Sequence, residues 1–222
     1  DINDFTSGMK AVLKPGGTIT LEFPHLMRLI ENNHFDTVYH EHFSYLALGT
    51  VFNIFEDAGL KAFDVEELKT HGGSLRVYGC HSDDLRSITS EVTQLIQTEV
   101  NQGLRDINTY LSFQSHADQV KNDLLEFLIQ QKRAGRTIIA YGAAAKGNTL
   151  LNYAGIKPDL LPMVCDAAPS KQGKLLPGSH LPIVSPDEIK KIQPDWVLIL
   201  PWNIADEVMQ LLNCIRNWKG KF

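Results

Sequence analysis

The sequence of 222 residues carries 21 Lys plus Arg against 26 Asp plus Glu, a formal net charge of -5, with 43% apolar and 21% charged residues. This is a globular composition, long enough for one large α/β domain or two of about 100 residues, so disordered, collagen-like and low-complexity classes are excluded and no disulfide or metal is needed to hold a core. The acidic balance gives no general attraction to a phosphate backbone, no apolar run approaches the ~20 residues of a spanning helix, and Cys80, Cys165 and Cys214 form no CxxC pair; neither nucleic acid nor membrane is an expected partner, and a cytoplasmic location is expected.

In chain order, Phe5, Met9, Val12 and Leu13 recur at helical spacing, and Lys14-Pro-Gly-Gly17 stops that helix. Residues 18–23 alternate as a strand, and a polar, histidine-rich segment runs from His25 to His42. A helix is predicted from about Ser44 to Ala58, ended by Gly59. Residues 60–68 and 74–80 read as strands joined into an antiparallel hairpin through Lys69-Thr-His-Gly-Gly73. From Asp83 to Arg133 the apolar spacing is that of long amphipathic helix, with breaks at Gly103 and Ser112–Ser115. A second α/β unit follows: strand 137–141, helix to about Tyr153, strand 161–165, helix 186–192, strand 196–200 and helix 204–218. Strands alternating with helices predict right-handed crossovers and a parallel sheet. The opening reads as the later part of an α/β domain already under way, and Gly220-Lys-Phe222 falls where one more strand would start. Further sequence on both sides is therefore expected. The first residues are acidic, lack Met and show no secretory leader.

Four of the eight histidines, His25, His34, His40 and His42, fall in the polar segment beside Tyr39, Glu41 and Tyr45. Imidazole exchanges a proton near neutral pH, an adjacent carboxylate orients it, and tyrosine hydroxyls can donate to an oxygen that gains charge. Those are the elements of an enolisation site. Three other readings stand beside it. A metal site could use the HxH pair, although no third ligand follows at recognisable spacing. A cupin-like site would want a Glu where Leu46-Ala-Leu48 stands, and the histidines could also be ordinary half-buried loop residues.

A second signal lies at Tyr141-Gly-Ala-Ala-Ala-Lys-Gly147, which follows a strand and opens a helix. It approximates GxGxxG with Ala144 at the second glycine, and Asp166 follows Gly147 by 19 residues, close to the roughly 20-residue spacing of a ribose-binding acid. A helix N-terminus there suits a phosphate, with Gly142 and Gly147 shaping the turn and Lys146 and Asn148 adding a charge and a donor. A turn that binds nothing is the competing reading. Lys171, Gly173 and Lys174 in the loop 167–180 are further ligand candidates. Trp202 and Asn203, after a parallel strand's carboxyl end, stand where such sheets bind ligands, whereas Trp196, Trp218 and Phe222 read as packing residues.

Asp4-Phe5, Leu13-Lys-Pro-Gly-Gly17, Glu22-Phe-Pro24, Phe35-Asp-Thr-Val-Tyr-His-Glu-His-Phe-Ser-Tyr45, Gly72-Gly-Ser-Leu-Arg76, Tyr141-Gly-Ala-Ala-Ala-Lys-Gly-Asn148 and Gly173-Lys-Leu-Leu-Pro-Gly178 together resemble the S-adenosylmethionine-dependent C-methyltransferases of nucleotide-linked 4-keto deoxysugars. The resemblance implies His42 as general base, Glu41 as its partner or a substrate ligand, Tyr39 as a hydrogen-bonding group at the sugar, and Tyr45 as a further candidate. It also implies that the enolate carbon attacks the methyl group of S-adenosylmethionine, and that a nucleotide sugar places its pyrophosphate at the Gly142 turn. Family members carry a zinc domain and a glycine-rich cofactor loop that have no counterpart in these residues; zinc would belong only to an upstream domain, and the fragment alone would be inactive. The implied organisation is the later half of a methyltransferase-type Rossmann unit over 1–82, a helical connector over 83–134 and a Rossmann-like parallel-sheet domain over 135–222. The alternatives are a non-catalytic nucleotide- or nucleotide-sugar-binding module, and an NAD-dependent oxidoreductase using the Gly142 turn and Asp166.

Overall fold

The computed structural model describes residues 1–222. Internal contacts divide the α/β chain into two units, one of Asp1–His34 with Phe43–Gln114 and one of Phe35–His42 with Ser115–Phe222. The division falls in the first turn of a long helix, and residues 35–42 belong with the second unit although both flanks belong to the first.

In the first unit, helix α1 (Ile2–Val12) starts at Asp1, whose carboxylate accepts from the Asn3 amide and so satisfies one of the amides a helix start leaves open. Strands β1 (Ile19–Pro24), β2 (Leu60–Leu68) and β3 (Ser74–His81) form an antiparallel sheet in the order β1-β3-β2. The expected hairpin is present, and its connection passes through positive φ at His71, Gly72 and Gly73. Leu75 and Val77 of the central strand are fully buried, and α3 (Leu48–Asp57) adds Leu48, Val51 and Phe55 to the same core. Burying side chains of this kind contributes about 1.5–3 kcal/mol each. Two features differ from the sequence reading. A helix, α2 (Leu26–Glu31), lies inside the histidine-rich segment and buries Met27 and Leu29. Helix α3 begins at Leu48 rather than near Ser44, because residues 43–47 remain extended or irregular. Helices α4 (Ser90–Asn101) and α5 (Ile107–Leu111) follow, separated at Gly103 as expected.

Helix α6 (Phe113–Arg133) leads into the second unit. Strands β4 (Ile138–Tyr141), β5 (Val164–Cys165), β6 (Ile183–Val184) and β7 (Trp196–Ile199) form a parallel sheet in the order β6-β5-β4-β7. Every residue of β4 is buried, as a central parallel strand covered on both faces requires. Ile138 and Ala140 join Leu128, Leu151 and Val164 in one core, while Ile139 and Tyr141 join Ile189, Val197 and Ile215 in the other. Helices α7 (Ala145–Tyr153), α8 (Asp187–Ile192) and α9 (Ala205–Leu211) complete the unit. The two-residue β6 was not anticipated, and the last predicted helix divides into α9 and a 3-10 stretch, Asn213–Trp218. Near the end of the described chain, Lys221 forms a single parallel bridge to Trp196 of β7. No helix is long and apolar enough to cross a membrane.

Candidate active site

The second unit assembles most of the sequence candidates at the carboxyl ends of β4 and β7. The sheet order places β5 on one side of β4 and β7 on the other, so β4 marks the point where connections reverse direction, the place where sheets of this kind bind ligands. At the end of β4, Gly142 has φ +98, and a Cβ there would stand 2.4 Å from Cδ of Pro201. Five residues on, a Cβ at Gly147 would stand 2.7 Å from Cβ of Leu200. The first glycine permits the turn; the second lets α7 lie against β7. No side chain caps α7 at Ala144, which leaves its first-turn amides without a side-chain acceptor at the helix start.

Asp36, Lys146, Trp202 and Asn203 form one cluster in this unit. The Trp202 indole N–H donates to Asp36 Oδ2 at 2.7 Å. Lys146 Nζ donates to Asn203 Oδ1 at 3.2 Å and lies 4.4 Å from the centroid of the Trp202 ring. The indole thus holds an acid at its edge and a cation on its face. Asp36 and Lys146 are both buried. Burial pushes the Asp36 carboxyl up, against the Trp202 hydrogen bond and the Lys146 charge, and it pushes the Lys146 ammonium down, against Asp36. Sequence reasoning singled out Lys146, Trp202 and Asn203 but passed over Asp36; its place directly ahead of the Tyr-His-Glu-His string was the available signal. Asn148 Oδ1 is buried without a partner one turn into α7.

Asp166 does not face outward as a ribose ligand must. Its Oδ1 accepts from the Ala168 amide at 2.8 Å, and its Oδ2 accepts from the Ala143 amide at 2.8 Å and from Lys171 Nζ at 3.1 Å. Lys171 also donates to the Ala143 carbonyl. Asp166 braces the turn from within, and Lys171 ties it from its partly exposed side.

His42 and Tyr39 come together in the segment 35–42, with ring centroids 4.6 Å apart. His42 Nδ1 lies 3.0 Å from the carbonyl oxygen of Thr37. A carbonyl can only accept, so Nδ1 carries the hydrogen and Nε2 keeps the lone pair of the neutral ring. The group on Nδ1 is therefore a backbone carbonyl and not Glu41, which is exposed together with His40. Tyr45 is half-buried and belongs to the first unit. His25, part of the same histidine cluster in sequence, is buried in the first unit against Glu99, with Nε2 2.7 Å from Oε1. No group of three or more His, Cys, Asp or Glu is gathered as a metal would need.

A family profile described as the C-methyltransferase C-terminal domain matches residues 69–222. The chain is also similar to the C-methyltransferase NovU of Streptomyces niveus, with 36% identity over 209 residues, covering 94% of this chain and 50% of that protein. It thus spans about half the length of the curated relative it matches.

Proposed function

This chain belongs to the C-methyltransferase family, and we propose that it carries the proton-abstracting and nucleotide-sugar-binding part of an enzyme that methylates a carbon beside the keto group of a nucleotide-linked deoxysugar. The observation that carries this reading is the contact of His42 Nδ1 with the Thr37 carbonyl oxygen at 3.0 Å. With Nδ1–H held by the Thr37 carbonyl, Nε2 is the basic atom, and the same hydrogen bond stabilises the imidazolium once Nε2 is protonated. The base takes the proton from the carbon next to the ketone. The C–H electron pair becomes the new C=C bond, and the carbonyl pair moves onto oxygen as an enolate. Tyr39, tilted against the imidazole, supplies a hydroxyl donor for that oxygen. Glu41, exposed and off the imidazole, is assigned to the sugar hydroxyls rather than to His42.

The uncapped N-terminus of α7 is assigned to the pyrophosphate. Gly142 lets the chain turn there, Gly147 keeps the helix close to the sheet, and Asp166 and Lys171 hold the turn rigid. Lys146 is not a free surface cation but one member of the Asp36–Trp202–Asn203 cluster, so it acts on the phosphate through its field more than as a mobile ligand. Asp166, engaged inside the turn, weighs against an NAD-dependent oxidoreductase.

S-adenosylmethionine supplies an electrophilic methyl group in this chemistry. The first unit's antiparallel sheet offers no glycine-rich strand-to-helix turn for it, and the one such turn of the second unit is the one assigned to the pyrophosphate.

The test uses the longer protein that contains this chain, with the keto sugar nucleotide in deuterated water. His42→Ala should slow exchange of the acidic proton by on the order of 10²–10⁴, the range for removal of a general base, and Tyr39→Phe should fold normally and exchange more slowly. Wild-type exchange in His42→Ala would overturn the assignment.

A further inference from the structure

Residues 26–47 carry Tyr39, Glu41, His42 and Tyr45, and the two ends of this stretch meet in the first unit. His25 pairs with Leu46 as a parallel bridge, and the Leu26 amide donates to the Leu46 carbonyl at 3.0 Å. Neither neighbouring helix is closed by its own sequence: no side chain caps α2 at His25 or α3 at Ala47. For α3 the missing acceptor comes from far along the chain, and the same group meets the His25 side chain at the start of α2. Glu99 of α4 receives His25 Nε2 at 2.7 Å, the Leu48 amide at 2.6 Å and the Gly49 amide at 2.9 Å. Glu99 is 3% exposed and His25 1%. His25 Nδ1 is buried without a partner, so Glu99 is the only polar anchor of that ring.

A carboxylate withdrawn from water is tolerated when its lone pairs are filled by donors, and the first-turn amides of a helix are suited to it. Here those donors lie on both ends of one stretch of chain. One buried group therefore joins the point where residues 26–47 begin to the point where they end.

We infer that Glu99 is a positioning residue for the proton transfer proposed above, clamping His25 to the start of α3 and so fixing the ends of the stretch that presents His42. This rests on the reading of His42 as base. Glu99 takes no proton and touches no substrate in this role; it acts through the placement of the imidazole.

The test is Glu99→Gln in the longer protein. Glutamine keeps the volume, but its NH₂ is a donor where the carboxylate accepted from donors, so at least one of the three bonds is lost. Proton exchange from the keto sugar should fall on the order of 10²-fold, the scale of a displacement near 1 Å, with the KM for the nucleotide sugar unchanged. Glu99→Gln combined with His42→Ala should be no slower than His42→Ala alone, because the carboxylate acts through that residue. Amide hydrogen exchange should accelerate across residues 26–49 while Leu75 and Val77 keep wild-type protection. Multiplying losses in the double variant, or protection lost throughout the sheet, would make Glu99 a general stabiliser and overturn the inference. Unchanged amide exchange across 26–49 would also overturn it. Should His42→Ala exchange the sugar proton at the wild-type rate, the base assignment falls by itself, and the amide-exchange result still decides whether Glu99 clamps these ends.

Discussion

Gly8 and Gly147 provide a matched pair for the packing of α7 against the sheet. Both sit inside helices, Gly8 in α1 and Gly147 in α7, so replacing either with alanine gains about 0.8–1 kcal/mol of helix propensity. Their surroundings differ. A Cβ at Gly8 meets nothing within 4 Å, whereas at Gly147 it would stand 2.7 Å from Cβ, 2.9 Å from Cδ1 and 3.2 Å from Cγ of Leu200. Leu200 is 2% exposed and packed in the core, so it has no open space to move into. Overpacking of this kind costs about 1–3 kcal/mol. Gly8→Ala should therefore stabilise the first unit by close to the full propensity gain, and Gly147→Ala should destabilise the second by about 1 kcal/mol. Since the propensity gain is common to both, the difference between the variants measures the packing cost directly. Trp196, Trp202 and Trp218 all lie in the second unit, so urea unfolding followed by tryptophan fluorescence reports Gly147→Ala, and amide hydrogen exchange in the first unit reports Gly8→Ala. Stabilisation by both substitutions alike would refute the close approach of α7 to β7.

Two further outcomes follow from buried groups of the second unit. Asp36 has its carboxyl raised by burial; the stability it contributes is present below its unfolded value near ~3.9 and is lost as pH rises through the raised folded value. Asp36→Asn should therefore gain stability relative to wild type as pH rises from about 4 through the raised folded value, read by urea titrations at each pH, and a difference independent of pH would contradict the burial. Burial pushes the Cys165 thiol up to about 12, so at pH 8 iodoacetamide should label the half-buried Cys214 while Cys165 reacts only in denaturant; native labelling of Cys165 at the rate of an open thiol would overturn this.

What the sequence disclosed and what it withheld divide along physical lines. The hairpin of β2 and β3 was legible because its strands carry β-rich apolar runs and its connection carries two glycines. The parallel unit was legible because β4 is a short apolar run ending in Gly142, with helical spacing after it. Strand β6 was not, since two residues have no period. Helix α2 was obscured by the polar histidines around Leu26-Met-Arg-Leu-Ile30. In the candidate site, Lys146, Trp202 and Asn203 were visible from their places after strands. The spacing of Asp166 was visible too, but spacing does not say which way a carboxylate turns, and this one turns inward to the Ala143 amide. Asp36 stood close ahead of the Tyr-His-Glu-His string, but its pairing, like that of Glu99, was beyond reach because the partners Trp202 and His25 lie 166 and 74 residues away in sequence, and no local pattern encodes such a pairing.

The membership of residues 35–42 in the second unit has a consequence in time. During synthesis Asp36 emerges 166 residues ahead of Trp202, which at 5–20 residues per second is a wait of about 8–33 s. Loop and hairpin closure take microseconds, so the first unit's hairpin can close long before the indole exists. Through that interval Phe35 lacks the edge of Tyr153, from which its ring centroid is finally 5.3 Å away, and Asp36 remains an ordinary solvated carboxylate. The segment that presents His42 therefore takes its final surroundings late, when the carboxyl end of β7 has been made, and a ribosome halted between residues 153 and 202 would hold a nascent chain with the proposed base already translated and the buried acid–indole pair still unformed.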